Sequence, residues 1–344
     1  AIGGGESPRL ANTEEFTAPS VFSQITEGQL FFNSTTNTFK ETIKDIPATS
    51  WSTGGSMNAV HGTGGAGGGT SLTAAIAFAG NAPGYVAITE QYNGSAWTEV
   101  NDMNTGAAEL GGSGTYTAAI AVGGATPGGV SAKTESWDGT NWTEVNDLNS
   151  ATDNLCSSAG TATAAIEAGG AAGGAYTAKN ESWDGTSWTE VNNLNTARGL
   201  MAESGTQTAA IVASGIFGPP YLLPKAVELW DGTSWTETTE INTSRYRQFG
   251  NGTQTSALVF GGQAGNPPGG GTGYPPAGNT ANTEFWNGTS WTELNNLGTA
   301  RYNGSSLPGS GASGSIAAGG HTSTGVTNTE EWESSLSNKT ITAS

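Results

Sequence analysis

The side chains best suited to metal or redox chemistry are few in this sequence. There are two histidines, His61 and His321, and one cysteine, Cys156. A single cysteine can form neither an internal disulfide framework nor a cysteine-based zinc site. We expect Cys156 to be a small buried residue, and we predict neither a bound metal nor a cofactor.

Carboxylates are more numerous, and one set of five recurs at one position of a repeated phrase. Such a set predicts a structural or solvated ring, and no acidic pair departs from the repeat as a general acid and nucleophile would. Glu167 is the exception, since it interrupts the apolar segment TAAIEAGG (163–170). A buried carboxylate there could be functional, although we favour one that faces a central channel and stays solvated. The repeated set comprises Glu99, Glu144, Glu190, Glu237 and Glu293.

Binding residues are expected in the loops that do not repeat, because repeated sequence is explained by packing alone. Two long loops are IFGPPYLLPKAVE (216–228) and GGQAGNPPGGGTGYPPAGNTANTE (261–284), and a short one is GGHTSTGVTNTE (319–330). Tyrosines beside prolines are rigid amphipathic rings suited to a sugar or a protein partner. The alternative is a stiff loop that covers a sheet edge. The candidate binding residues are Phe217, Tyr221, Tyr274 and His321.

The elements that position these residues come from an internal repeat. The phrase aromatic–x–Gly–x–x–Trp occurs as YNGSAWTEV (92–100), WDGTNWTEV (137–145), WDGTSWTEV (183–191), WDGTSWTET (230–238) and WNGTSWTEL (286–294). A degenerate copy surrounds Trp332. Aromatic residues in register predict that each unit packs on its neighbour. We therefore expect structural anchors at Tyr92, Trp97, Trp137, Trp142, Trp183, Trp188, Trp230, Trp235, Trp286, Trp291 and Trp332.

Each unit is predicted to contain four strands. An apolar segment such as YTAAIAVGG (116–124) gives a strand buried on both faces. A variable loop leads to a Thr-Glu strand, and an Asp-Gly turn returns the chain as WTEV. A glycine-rich stretch such as GLMAESGT (199–206) is the fourth strand, small enough for a crowded interior. Four-stranded repeats of about 40–50 residues indicate the blades of a β-propeller.

We predict one all-β domain over residues 1–344, a single β-propeller of four-stranded blades. Counting Ala1–Gly5 and Asn12–Phe16 as part of a first repeat favours seven blades, with six as the alternative. Ring closure would then join residues around Lys339–Thr342 to the first blade. The loops after the apolar strand and after WTEV should lie on one face, with the Asp-Gly turns on the other.

Residues 17–50 are interpreted as an elaboration of the first blade. Within them, QLFFNSTTNTFKETI (29–43) predicts a hairpin with a polar turn at Ser34–Asn37. Phe39–Ile43 is expected to take the part that WTEV plays in the other blades.

The Gly-Gly doublet after an apolar strand, followed by an aromatic residue and a tryptophan five residues on, resembles the Kelch repeat over nearly the whole chain. The Asp/Asn-Gly-Thr-Ser turns and the few charges depart from animal Kelch domains. This variant, together with EGQLFFNSTTNTFKETIKDIP (27–47), is similar to Kelch-like repeat proteins of marine bacteriophages, which are taken for virion structural or fibre components. The hairpin at Gly28–Asn33 is similar to a phrase common in phage tail fibres.

Two enzyme classes with propeller folds fit the sequence poorly. Galactose oxidases need a copper site of two histidines and two tyrosines, one cross-linked to cysteine, and Cys156 has no tyrosine near it in sequence. Sialidases carry an Asp box, but in SWDGTSW (182–188) glycine directly follows Asp184, one residue too early. An arginine cluster for a sugar carboxylate is not evident either. Arginines at one repeat position predict packing or capping of the strand connection, and these are Arg198, Arg245 and Arg301.

The charge balance limits the partners. With 29 acidic and 11 basic residues the formal net charge is −18, which disfavours nucleic acid and anionic membranes, and no apolar run is long enough for membrane insertion. We predict a non-enzymatic virion or extracellular fibre protein that adheres to a host-surface glycan or receptor, or assembles with other virion subunits, and that could be a homo-oligomer. The alternatives are a carbohydrate-active enzyme, a glycan hydrolase or oxidase, and an architectural subunit without a ligand.

Overall fold

The structure, a computed structural model, describes residues 30–33, 35, 38–44, 49–62, 66–81, 83–155, 158–218, 221–265, 278–305, 312–334 and 336–340. The described residues form strands, turns and irregular loops without a helix, so the predicted all-β class is confirmed. The chain divides into two compact units. One comprises Ala1–Ala48 with Ser334–Ser344, and the other comprises Thr49–Glu333.

The first unit contains one antiparallel sheet of three described strands. Leu30–Asn33 and Thr38–Lys44 form a hairpin in which Asn33 pairs with Thr38, as the polar segment between them predicts. Leu336–Thr340 pairs with the other edge of Thr38–Lys44. Phe39–Ile43 was predicted to act as the outer strand of a blade. That prediction is wrong, because this segment belongs to a separate sheet with Leu30–Asn33 and Leu336–Thr340.

The second unit is a β-propeller of six blades, each an antiparallel sheet. In the described residues the sixth blade has three strands, and the bridge between Ser305 and Ala318 continues it inward. From the inner to the outer strand, the sheets are Ala66–Ser71, Ala74–Phe78, Thr89–Tyr92 and Trp97–Val100 (blade 1); Gly111–Thr115, Ala118–Val122, Thr134–Trp137 and Trp142–Val145 (blade 2); Ala159–Thr161, Ala164–Ala168, Asn180–Trp183 and Trp188–Val191 (blade 3); Ala202–Thr206, Ala209–Ala213, Val227–Trp230 and Trp235–Glu237 (blade 4); Phe249–Thr253, Ser256–Phe260, Thr283–Trp286 and Trp291–Leu294 (blade 5); and Gly314–Ala318, Thr329–Glu333 and Trp51–Thr53 (blade 6).

The prediction of seven blades is wrong, and the alternative of six blades is confirmed. The ring closes where Trp51–Thr53, from the start of the second unit, pairs as outer strand with Thr329–Glu333 from its end. Trp51 lies opposite Trp332 in this pair, as Trp142 lies opposite Trp137 in blade 2. The repeat assigned to Ala1–Gly5 and Asn12–Phe16 lies outside the described residues.

The glycine-rich strands lie innermost, and each belongs to the sheet of the apolar strand that follows it. Inner strands of neighbouring blades contact one another around the axis. A Cβ atom added to Gly68 would lie 2.9 Å from the carbonyl oxygen of Gly114, and one added to Gly250 would lie 2.8 Å from the Cβ atom of Ala202. Glycine is therefore required at these two positions, because the described inner strands crowd together near the axis.

The hydrophobic core is divided among the interfaces between blades. Between blades 1 and 2, Phe78 meets Trp142 edge to face with ring centroids 4.8 Å apart. The Nε1–H group of Trp142 donates to the Thr89 hydroxyl oxygen at 3.0 Å, so a polar bond across the interface fixes the indole. Stacking of neighbours is what buries both faces of each blade.

Three two-stranded ribbons extend the loops between the apolar and Thr-Glu strands, and all of them lie on one face of the propeller, as the strand order predicts. Backbone hydrogen bonds link these loops to the connections between blades; for example, the N–H of Gly124 donates to the carbonyl of Thr152 at 2.8 Å. We call this side the loop face. The opposite side, with the Asp-Gly turns, is the hairpin face. The ribbons are Ala125–Thr126 with Gly129–Val130, Ala171–Ala172 with Ala175–Tyr176, and Gln263–Ala264 with Gly278–Asn279.

Candidate ligand-binding site on the loop face

The repeated residues of the hairpin face stabilise the fold through turn hydrogen bonds and buried packing. In the turn of blade 3, the Asp184 carboxylate accepts bonds from the Thr186 and Ser187 backbone N–H groups at 2.8 Å. These bonds lower the pKa of Asp184. Asp138 and Asp231 have the same contacts and the same direction of pKa shift. The predicted aromatic anchors are all buried, and the glutamates of the WTEV strands are exposed.

The three arginines at one repeat position close the connections between blades. Arg245 is fully buried, donates to the carbonyl of Asn282 at 2.7 Å and forms an ion pair with Glu284. Glu284 also accepts the backbone N–H groups of Asn242 and Thr243. Arg198 with Glu228 and Arg301 with Glu330 repeat this arrangement, so the structure agrees with a capping role. His61 takes the same position in blade 1, beside Glu90 at 3.3 Å.

Three of the four predicted binding residues lie in described loops, and the structure brings two of them toward one place. Tyr221 lines a cavity on the loop face. His321 stacks on Tyr302, with ring centroids 5.6 Å apart, and Tyr302 in turn lies beside the Arg247 guanidinium. Phe217 pairs its backbone with Leu222, and its neighbour Ile216 is the residue that lines the cavity. Tyr274 and Cys156 lie outside the described residues.

The loop-face cavity has a volume of about 330 Å³, at the lower end of the range for small-molecule sites. It lies over the inner ends of blades 3, 4 and 5. Its floor is an apolar cluster of Leu200, Ile216 and Tyr246, and the half-buried rings of Tyr176 and Tyr221 pack against this floor. Those two tyrosines meet edge to face, with ring centroids 6.1 Å apart. The remaining wall is formed by Val130, Asp153, Asn154, Ala171, Gly174 and Arg247.

The cavity adjoins five of the described residues around the axis, which we call the axial rim: Glu109, Asn154, Leu200, Arg247 and Asn303. Each precedes an inner strand, and each has a left-handed backbone with φ between 53° and 58°. Backbone bonds link successive members: the N–H of Leu200 donates to Asn154, that of Arg247 to Leu200, and that of Asn303 to Arg247, at 2.8–2.9 Å. Glycine would adopt this conformation without strain, so five non-glycine residues indicate that the side chains matter here.

Arg247 is the arginine of the axial rim, and its contacts differ from those of Arg245 two residues earlier. It belongs to the connection into blade 5 and contacts Glu109, in the connection into blade 2, at 3.4 Å. Blades 2 and 5 are three positions apart in a ring of six, so this ion pair crosses the propeller axis. The guanidinium also lies 5.8 Å from the ring centroids of Tyr246 and Tyr302. Its Nε–H group is buried without a hydrogen-bond partner among the described residues.

Two carboxylates at or near the cavity have raised pKa values. Burial raises the pKa of Glu109, and the charge of Arg247 offsets only part of that shift. Burial also raises the pKa of Asp153, which accepts a hydrogen bond from the Asn154 amide at 2.8 Å. The site therefore combines partly desolvated acceptors, a planar donor group and tyrosine rings, which together suit a small polyhydroxylated ligand.

Sequence analysis missed most of this site. Asp153, Asn154, Tyr176, Tyr246 and Arg247 are absent from the predicted candidates, because all five lie outside the two long loops that interrupt the repeat. A signal was present in the segments after WTEV, where the residue two positions after Arg198, Arg245 and Arg301 is Leu, Arg and Asn in turn. A position that varies within an otherwise regular repeat indicates a ligand contact better than loop length does.

Glu167 lies elsewhere, inside the wall of the ring. It is 5% exposed, accepts a hydrogen bond from the Ser158 hydroxyl, and lies close to Glu203 on the inner strand of blade 4. The expectation of a solvated carboxylate facing the channel is wrong, because the inner strands leave no room for water beside it. Burial raises the pKa of Glu167 to about 8, and burial together with the charge of Glu167 raises that of Glu203.

Within the described parts of the chain, no three histidine, cysteine, aspartate or glutamate side chains lie close enough together to hold a metal ion. Those same parts contain no helix able to cross a membrane.

Comparison with known proteins identifies the fold. Among solved structures, the chain is similar to one titled "Structure of YjhT", with a TM-score of 0.69 and 13% sequence identity over 83% of this chain and 99% of that chain. At this identity the likeness shows the β-propeller alone. The chain matches no protein-family model and no curated protein sequence.

Proposed function

We propose that this propeller is a non-enzymatic adhesion module that binds a glycan in the loop-face cavity. The observation that carries the proposal is the combination of Tyr176 and Tyr221 with Asp153, Asn154 and Arg247 around a cavity of about 330 Å³. Tyrosine rings pack against the apolar face of a sugar, and the polar groups can bond its hydroxyls. The hydrogen-bonded axial rim keeps the site preorganised, which lowers the entropic cost of binding.

The biological setting follows from the sequence resemblance. Kelch-like repeats of the marine bacteriophage type favour a virion fibre or surface component, located on the virion or otherwise outside the cell. Its partners would be other virion subunits and a host-surface glycan or receptor. Weak binding at each cavity would be multiplied by the number of copies in the assembly.

The proposal is tested by screening the full chain on a glycan array and measuring affinity for the strongest ligand by titration calorimetry. Tyr221→Ala and Tyr176→Ala should each weaken binding about tenfold or more, because each removes a ring from the cavity. Tyr85→Ala is the matched control, since Tyr85 is exposed in another loop and does not line the cavity. An array without any ligand would contradict the proposal and favour a purely architectural subunit.

A carbohydrate-active enzyme is the second candidate, and one observation favours it. Asp153 and Glu109 are two carboxylates with raised pKa values near one cavity, and glycoside hydrolysis uses two carboxyl groups in acid and base roles. Incubating the array ligand with the protein and analysing the products separates the two functions. Glycan cleavage or oxidation that disappears in Asp153→Asn would support the enzyme, whereas intact ligand would support the adhesion module.

A further inference from the structure

The loop-face cavity is lined by one arginine, Arg247. Among the described residues its one ion pair is the 3.4 Å contact with Glu109, and its side chain is 25% exposed. The other three arginines of the propeller connections are fully buried in pairs with glutamate. A ligand in the cavity can therefore meet the guanidinium of Arg247, and either hydroxyl or carboxylate oxygens can accept hydrogen bonds from it.

The acceptors of the site limit that choice. Asp153 lines the cavity beside Asn154, and Glu109 faces Arg247. Two carboxylates thus accompany one guanidinium in a chain whose formal net charge is −18. An anionic ligand would be repelled by the second carboxylate and by the field of the whole protein. A neutral sugar avoids this repulsion, because each hydroxyl can donate to a carboxylate and accept from the guanidinium.

We propose, on the premise of the glycan-binding function, that the ligand is the neutral terminal pyranose of a glycan and that the cavity discriminates against acidic sugars. Arg247 donates to one ring hydroxyl and Asp153 accepts from a neighbouring one, with the Asn154 amide beside them. The faces of Tyr176 and Tyr221 pack against the C–H face of the ring. Asp153 then determines the preference for neutral sugars, because its negative charge repels the carboxylate of an acidic sugar.

The experiment compares sugars that differ only at C6. Methyl galactoside is titrated against methyl galacturonide, and methyl glucoside against methyl glucuronide, by ligand-observed NMR at low and moderate salt. We expect at least one neutral glycoside to bind about tenfold more tightly than its uronate, with the gap narrowing as salt rises. Equal or tighter binding of the uronate would overturn this inference while leaving the glycan-binding function intact. Absence of binding by every sugar would overturn both.

Asp153→Asn provides a second readout that a merely structural residue would not give. The amide keeps the shape of the side chain and removes one of the two negative charges. We expect galacturonide affinity to rise about three- to tenfold and galactoside affinity to fall. Asp184→Asn, on the hairpin face, is the matched control, because Asn287 naturally occupies the equivalent turn position. Unchanged discrimination in Asp153→Asn would contradict the assignment.

Discussion

At the scale of single residues, the same side-chain type has different roles that burial decides. Arg245 and Arg247 are two positions apart, yet the first is fully buried in an ion pair with Glu284 and the second is partly exposed and reaches across the axis to Glu109. The glutamates of the WTEV strands are exposed, whereas Glu167 is enclosed beside Glu203. A residue name alone does not predict which of these environments it will occupy.

Glu167 carries a prediction about pH. Burial raises the pKa of Glu167 from 4.5 to about 8. Between these two pH values the folded chain therefore keeps a proton that the unfolded chain has already released. The free energy of unfolding should therefore fall as pH rises through that window. Glu167→Gln removes this charge, so it should stabilise the protein by roughly 1–3 kcal/mol at pH 8 and have little effect at pH 4.

Urea unfolding at a series of pH values measures this effect. Glu190→Gln is the control, since Glu190 is exposed and its substitution should change stability by less than about 0.5 kcal/mol. Glu203 remains in the variant, so the pH profile should become shallower without becoming flat. Parallel profiles for wild type and Glu167→Gln would show that the buried carboxyl does not titrate as the structure requires.

At the scale of elements, each connection between blades is closed by a glutamate of the Thr-Glu strand. Glu135 accepts the backbone N–H groups of Asn104 and Thr105, in the same way that Glu284 accepts those of Asn242 and Thr243. Blade 2 achieves this without an arginine, because Ala107 stands at the arginine position. The glutamate is therefore the common element of the connection, and arginine is an addition in three of the six.

Arg245→Met tests that addition. The substitution leaves the Glu284 carboxylate buried without its cation, which typically costs about 3–5 kcal/mol. The backbone donors that Glu284 keeps should place the cost toward the lower end. Arg247→Met is the matched control in the same segment: because the pair with Glu109 is only partly buried, it should cost no more than about 1 kcal/mol and instead abolish sugar binding. Equal losses of stability in the two variants would contradict the different roles assigned to these arginines.

At the scale of the whole propeller, closure depends on one short strand. Trp51 pairs opposite Trp332, with ring centroids 5.5 Å apart, and also contacts Phe260 at 4.6 Å. Its Nε1–H group donates to the Thr283 hydroxyl at 3.0 Å, just as Trp188 donates to Thr134. The closing interface is thus built like an internal one, although its two sides come from opposite ends of the unit.

Trp51→Ala should therefore destabilise the propeller as the loss of an internal anchor does, but to a smaller extent, because Trp51 is half-buried. We expect Trp188→Ala to lower the free energy of unfolding by roughly 3–5 kcal/mol and Trp51→Ala to lower it by roughly 2–3 kcal/mol. Trp51→Phe, which keeps a ring but loses the bond to Thr283, should lose about 1 kcal/mol. Chemical denaturation followed by far-UV circular dichroism measures the free energy of unfolding of all three variants. A Trp51→Ala protein as stable as wild type would show that the ring does not depend on this closure.

The sequence alone determined the class and the blade. Period, Gly-Gly doublets and Asp-Gly turns are local signals, because turn geometry and the alternation of strand faces depend on adjacent residues. They predicted a propeller, a hairpin within residues 29–43 and which loops share a face. They also predicted that the repeated arginines pack at the strand connections.

Only the tertiary structure decided the blade number, the ring closure and the binding site. Pairing of Trp51–Thr53 with Thr329–Glu333 joins residues at opposite ends of the unit, and no local pattern records that partnership. The site depends on residues of three blades converging at the axis, where Asp153, Arg247 and Tyr221 come from separate repeats. Convergence at an axis is a property of how blades stack, so it becomes visible only when the ring is closed.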